Sequence, residues 1–98
     1  MIIVTGSIHA RSDTVHQLEA LSLAHVHRSR QEPGCLAHSV QRDVEDPLHL
    51  VFLEQWSDVA AVRAHFRVPG SRAFVGEATA LAATPPQMEL FTAEPISL

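Results

Sequence analysis

Cys35-Leu36-Ala37-His38-Ser39-Val40-Gln41-Arg42 and Leu48-His49-Leu50-Val51-Phe52-Leu53-Glu54-Gln55-Trp56, joined by Asp43-Val44-Glu45-Asp46-Pro47, are the stretch on which the fold turns. Two strand-like runs about a cluster of turn formers predict an antiparallel hairpin. Leu36, His38 and Val40 alternate with Cys35, Ala37 and Ser39, while Leu50, Phe52 and Trp56 alternate with Val51 and Leu53, so apolar groups point to both faces. Working outward, Ile2 to His9 reads as a strand, and Thr5-Gly6-Ser7 within it disfavours a helix. Ser12-Asp13-Thr14 supplies cap residues for a helix from about Asp13 to Gln31, which Pro33-Gly34 closes. Val15, Leu18, Leu21 and His25 share one face of it. Ser57 or Asp58 caps a second helix ending at Phe66 or Arg67, with Val59, Val62 and Phe66 as its buried stripe, and Val68-Pro69-Gly70 breaks it. A further helical segment, about Ser71 to Ala83, carries Phe74, Ala78 and Leu81, and Pro85-Pro86 leads into a last strand from Met88 to Ala93.

This order predicts an α+β fold, a ferredoxin-like βαββαβ sandwich with a four-stranded antiparallel sheet and helices on one face. With 98 residues, 46% of them apolar, the chain suffices for one domain spanning residues 1–98 and is too short for two cores. Helices on one side leave Val51 and Leu53 wet, and a second copy of the sheet is the simplest cover, so a homodimer paired through the sheet face is expected. Seven basic against eleven acidic residues give a net charge of −4, which offers no electrostatic basis for nucleic acid. Apolar runs no longer than four residues, Leu50 to Leu53 among them, exclude a membrane-spanning helix. One cysteine, Cys35, fits a reducing compartment and a cytoplasmic location, and its expected state is a small buried thiol. The chain has no Lys, Tyr or Asn, so Schiff-base chemistry, a phenolic acid and a carboxamide oxyanion donor from Asn are unavailable; it has seven His instead.

Glu32-Pro33-Gly34-Cys35-Leu36, Arg42-Asp43, Asp46-Pro47, Phe52-Leu53-Glu54-Gln55-Trp56-Ser57-Asp58 and Ala64-His65-Phe66 closely resemble the antibiotic biosynthesis monooxygenase family of small dimeric α+β barrels. The opening Ile-Val-Thr-Gly strand and the Pro-Pro before the last strand extend the resemblance over essentially the whole chain. It implies oxidation of small electron-rich aromatics, such as quinols and anthrones, with dioxygen and neither metal nor flavin. Haem degradation is disfavoured, because haem-degrading relatives place a haem-ligating His after helix two and Ser71 to Ala83 contains none. An isomerase of a small oxidised metabolite and a non-catalytic dimer that binds a hydrophobic ligand are the alternatives on this fold.

A quinol must lose a proton before it can reduce oxygen, so such a pocket needs a base, hydrogen bonds that favour the anion, and walls that exclude water. His65 and His25 are the candidate bases, and Glu54 is the candidate carboxylate that orients one of them. Trp56, Ser29, His38 and Phe66 are candidate substrate contacts. Each has a structural alternative: a bonded core histidine for His25 and His38, a helix-end dipole partner for His65, and a backbone-bonded serine for Ser29. For Glu54 it is a buried ion pair, and for Trp56 a core anchor. His25 and His27 point in opposite directions on a helix, and the sequence lacks a local His-x-x-x-His, so no metal site is expected.

Overall fold

A computed structural model describes residues 1–98. Its elements run β1 (Ile2–His9), α1 (Val15–Ser29), β2 (Cys35–Asp43), β3 (Asp46–Trp56), α2 (Val59–Arg67), α3 (Pro69–Leu81) and β4 (Gln87–Thr92). The strands form one antiparallel sheet in the order β2-β3-β1-β4. This is the ferredoxin-like α+β fold that the strand and helix order predicts, and no helix is long and apolar enough to cross a membrane.

β1 is central because its helix-side residues Ile2, Val4 and Ile8 are apolar and buried. β3 continues that face with Leu50, Phe52, Glu54 and Trp56, all buried. Along the strand, the carboxylate separates two apolar clusters, one holding Leu50 and Phe52, the other Trp56 with Ile2, Val4 and Val62. The β2–β3 hairpin is tighter than expected: β3 begins at Asp46, and only Val44 and Glu45 lie between the strands. His49 ties that turn to β1, its Nδ1 lying 3.1 Å from Asp43 Oδ2 and its Nε2 2.6 Å from Ser7 Oγ.

The alternation read in β2 is corrected at its start. A bulge pairs Cys35 with Trp56 and Ala37 with Gln55, so Leu36 is looped out and 57% exposed rather than sharing the face of His38. Cys35 takes the helix side and is half-buried against the smaller apolar cluster, not enclosed. Burial chiefly, and then Glu32 and Glu54, hold its thiol above the ordinary value, so it stays protonated.

α2 has the cap that the sequence predicts: Asp58 Oδ1 accepts from the Ala61 amide at 2.8 Å. Its stripe is rotated from the expected one. Val62 and His65 are buried, whereas Val59 and Phe66 are exposed, because the helix meets the sheet along the Trp56 and Glu54 row. Val68-Pro69-Gly70 ends α2, yet it also begins α3: Pro69 occupies the first turn, where its missing amide hydrogen costs nothing. In α3, Phe74 and Ala78 are buried as expected. Gly34, at φ +83°, closes the approach from α1 to β2, and a Cβ there would lie 2.6 Å from Ala61 Cβ.

Candidate active site

A cavity of about 550 Å³ lies between the sheet and the helices. Gly6, Ser7, Ile8, Phe52 and Glu54 form its floor; His25, His65, Phe66, Ser71, Arg72, Phe74 and Val75 come from the helices; and Pro86, Gln87 and Met88 border it. Gly6 pairs with Phe52 on one side and Met88 on the other. A side chain there would crowd Phe52, whose Cβ is 3.2 Å from where a Cβ would sit. The cavity has the size and largely apolar lining of a small-molecule site.

The sequence candidates divide into two groups. His25, His65, Glu54 and Phe66 border the cavity, but Trp56, Ser29 and His38 do not. Trp56 is wholly buried and donates its indole hydrogen to Glu54 Oε1 at 2.9 Å, so it anchors the carboxylate instead of presenting a stacking wall. Ser29 Oγ donates to the backbone oxygen of His25 at 2.7 Å. His38 stands behind Glu54, its Nε2 3.4 Å from Oε1, with both ring nitrogens buried and without a hydrogen-bond partner.

The carboxylate that orients a histidine is not the expected one. His65 Nδ1 lies 2.8 Å from Glu32 Oε1. A carboxylate only accepts, so Nδ1 carries a hydrogen, and in the neutral ring Nε2 keeps its lone pair. Nε2 is 3.9 Å from Glu54 Oε1, on the cavity wall. Glu32 stands just after α1, beside Pro33-Gly34, and in the sequence it figures only as the first residue of the family-like stretch Glu32 to Leu36. Its spacing of 33 residues from His65 carries no local signal.

His25 plays a different part. Burial above all, then His38, Arg28 and His65, push its pKa down to about 3, against a smaller opposing effect of Glu54. It is therefore neutral near pH 7. Arg28 Nη2 lies 2.6 Å from its Nδ1 and can only donate, which leaves the ring hydrogen on Nε2. Phe74 stacks on the ring, centroids 4.1 Å apart. Glu54 is opposed by burial, which raises its pKa, but His38, the Trp56 hydrogen bond and His65 together hold it below the ordinary value. It is a carboxylate at neutral pH.

Local sequence spacing gives no sign of one cluster that the fold assembles. His25 from α1, His38 from β2 and His65 from α2 bring one ring nitrogen each to within 4.8 Å of one another. The expectation that no metal site exists rested on neighbours in sequence, and these three are neighbours only in space.

Architecture and cavity define a ferredoxin-like α+β protein with a histidine-bearing pocket between its layers. The chain belongs to the antibiotic biosynthesis monooxygenase family, whose profile matches residues 1–77. It is similar over its whole length to the crystal structure of a candidate antibiotic biosynthesis monooxygenase from Deinococcus radiodurans, with a TM-score of 0.95, 27% identity and 98% of that chain covered. Protein PA3566 of Pseudomonas aeruginosa aligns over 96% of this chain and 94% of its own, with a TM-score of 0.85 and 26% identity. A curated relative, the uncharacterized protein sll1783 of Synechocystis sp., is 32% identical over 90 residues, 92% of this chain. The chain spans about three fifths of that relative, 61% of its length.

Proposed function

We propose that this protein is a cofactor-independent monooxygenase that oxidises a small phenolic, quinol- or anthrone-like aromatic with dioxygen. The observation that carries this reading is the Glu32–His65 pair on the wall of an aromatic-lined cavity. Glu32 fixes the tautomer of His65, so Nε2 is available to take the substrate proton, and it stabilises the imidazolium that results. The neutral His25 offers a ring N–H to the developing oxyanion, and Phe52, Phe66 and Phe74 supply flat apolar walls. The deprotonated ring is electron-rich enough to reduce dioxygen. At the CH2 of an anthrone, or at a free ring C–H of a phenol, one oxygen atom becomes the new carbonyl, and the other leaves as water with the two hydrogens lost from the substrate, so no external reductant is needed.

Two copies pair through the open sheet face in this reading, burying Leu53 and Phe91, which are 41% and 49% exposed in one chain. The single free cysteine favours a cytoplasmic location. The test is turnover of an anthrone under heavy-isotope dioxygen. The reading expects one labelled atom in the product carbonyl; oxidation without label, or proton transfer without oxygen uptake, contradicts it.

A further inference from the structure

We propose that His25, His38, His65 and the carboxylate of Glu54 together form a binding site for a divalent transition-metal ion of the zinc class. In a four-coordinate site with bonds near 2.1 Å, ligand atoms stand about 3.4 Å apart. Glu54 Oε1 already lies 3.4 Å from His38 Nε2 and 3.9 Å from His65 Nε2. The imidazole nitrogens, within 4.8 Å of one another, close the remaining gap by side-chain shifts of about 1 Å. Three imidazoles and one carboxylate are a donor set suited to zinc and its neighbours, and less to calcium or magnesium.

Two further observations point to a cation. His38 is only 2% exposed, and neither of its ring nitrogens has a hydrogen-bond partner. An unpaired buried polar group is costly and calls for an explanation, which coordination supplies at Nε2, the nitrogen that faces the Glu54 carboxylate. The second is the outer shell: Glu32 receives the Nδ1 hydrogen of His65, and Trp56 braces Glu54, the arrangement that orients metal ligands elsewhere. Two carboxylates, Glu32 and Glu54, stand at the imidazoles, and the cavity gives an ion a route in.

Arg28 is the gate. Its Nη2 donates to His25 Nδ1 at 2.6 Å and to Ser71 Oγ at 3.3 Å, and its charge opposes a cation. Coordination by His25 requires the guanidinium to withdraw, so Arg28 competes with the ion. The binding does not depend on the proposed oxidation, but it bears on it: an ion on His65 Nε2 consumes the lone pair of the base, so the loaded protein is the inhibited form.

The test is zinc binding by chelator-treated protein in equilibrium dialysis, with cobalt as a spectroscopic probe of the same site. The expected result is one ion per chain and the visible absorption of tetrahedral cobalt. His38→Ala and Glu32→Gln should each weaken binding at least about tenfold, Arg28→Ala should tighten it, and His16→Ala and His27→Ala, on exposed positions of α1, should leave it unchanged. Circular dichroism checks that His38→Ala is folded, and Glu32→Gln tests the outer shell without cutting a ligand. Failure of the folded wild type to bind one ion, or equal losses from the exposed-histidine variants, overturns the site. Oxygen uptake by the stripped protein is read separately, so loss of the oxidation reading leaves the binding result intact.

Discussion

His65 and Glu32 form the pair on which the proposed chemistry rests. Glu32→Gln keeps the shape of the carboxylate but removes its charge, so the imidazolium loses its partner and kcat should fall about 10- to 100-fold with a smaller change in KM. A general base contributes roughly 10²- to 10⁴-fold, which sets the larger loss expected for His65→Gln. His25 makes the metal-free protein acid-sensitive. Its pKa is about 3 when folded against 6.5 for the free side chain. Within that window the unfolded chain binds a proton that the folded protein refuses, so stability is full above about pH 6.5 and declines as pH falls. The decline is on the order of 1 kcal/mol per pH unit, below the full slope because the ring borders an open cavity. His38, Arg28, His65 and Glu54 all face this ring and shape the curve. Glu54, depressed when folded, stabilises the fold above about pH 4.5 and gives that up as pH falls through its lower folded value. Urea denaturation at pH 7.5, 6, 5 and 4, steps of roughly 1 unit spanning this range, should show loss beginning above the carboxylate range. His25→Phe should flatten the upper part.

Among the elements, the glycines at the edges of the site have distinct duties. Gly6 leaves the cavity floor open, so Gly6→Val should raise KM for the aromatic substrate tenfold or more. Gly34→Ala forces a left-handed residue and a 2.6 Å approach to Ala61 Cβ, so it should cost about 1–3 kcal/mol in urea denaturation and leave the cavity lining intact. The elements were well marked in the sequence, because β-branched runs, Asp58 as a cap and the Pro-Gly pairs are local signals. What escaped was the consequence of contacts made later in the chain. The bulge after Cys35 arises from pairing with β3, so strict alternation placed Leu36 on the wrong face. The stripe of α2 follows the row of Glu54 and Trp56 beneath it, so His65 rather than Phe66 is buried. The cavity-bordering His25, His65 and Glu54 were legible as polar residues on apolar faces. Glu32 was not, because its partner is 33 residues away.

For the molecule as a whole, the sheet has a covered face and an open one, and the proposed function assigns them different work. The covered face holds the cavity and its histidines. The open face carries Leu53 and Phe91 next to polar neighbours, and pairing of two copies there is expected to hold the protein as a dimer. Leu53→Glu should shift it toward monomer in light scattering at matched concentration, while far-ultraviolet circular dichroism stays unchanged. The resemblance to the antibiotic biosynthesis monooxygenases extends through both faces, and the proposed chemistry belongs to the covered one. The most direct measurement is oxygen consumption by chelator-treated protein with a panel of quinols, anthrones and catechols, comparing wild type with His65→Gln and Glu32→Gln. The account predicts uptake by the wild type that falls steeply in His65→Gln and partly in Glu32→Gln; uptake indifferent to both substitutions, or none by the folded wild type with any of these substrates, contradicts it.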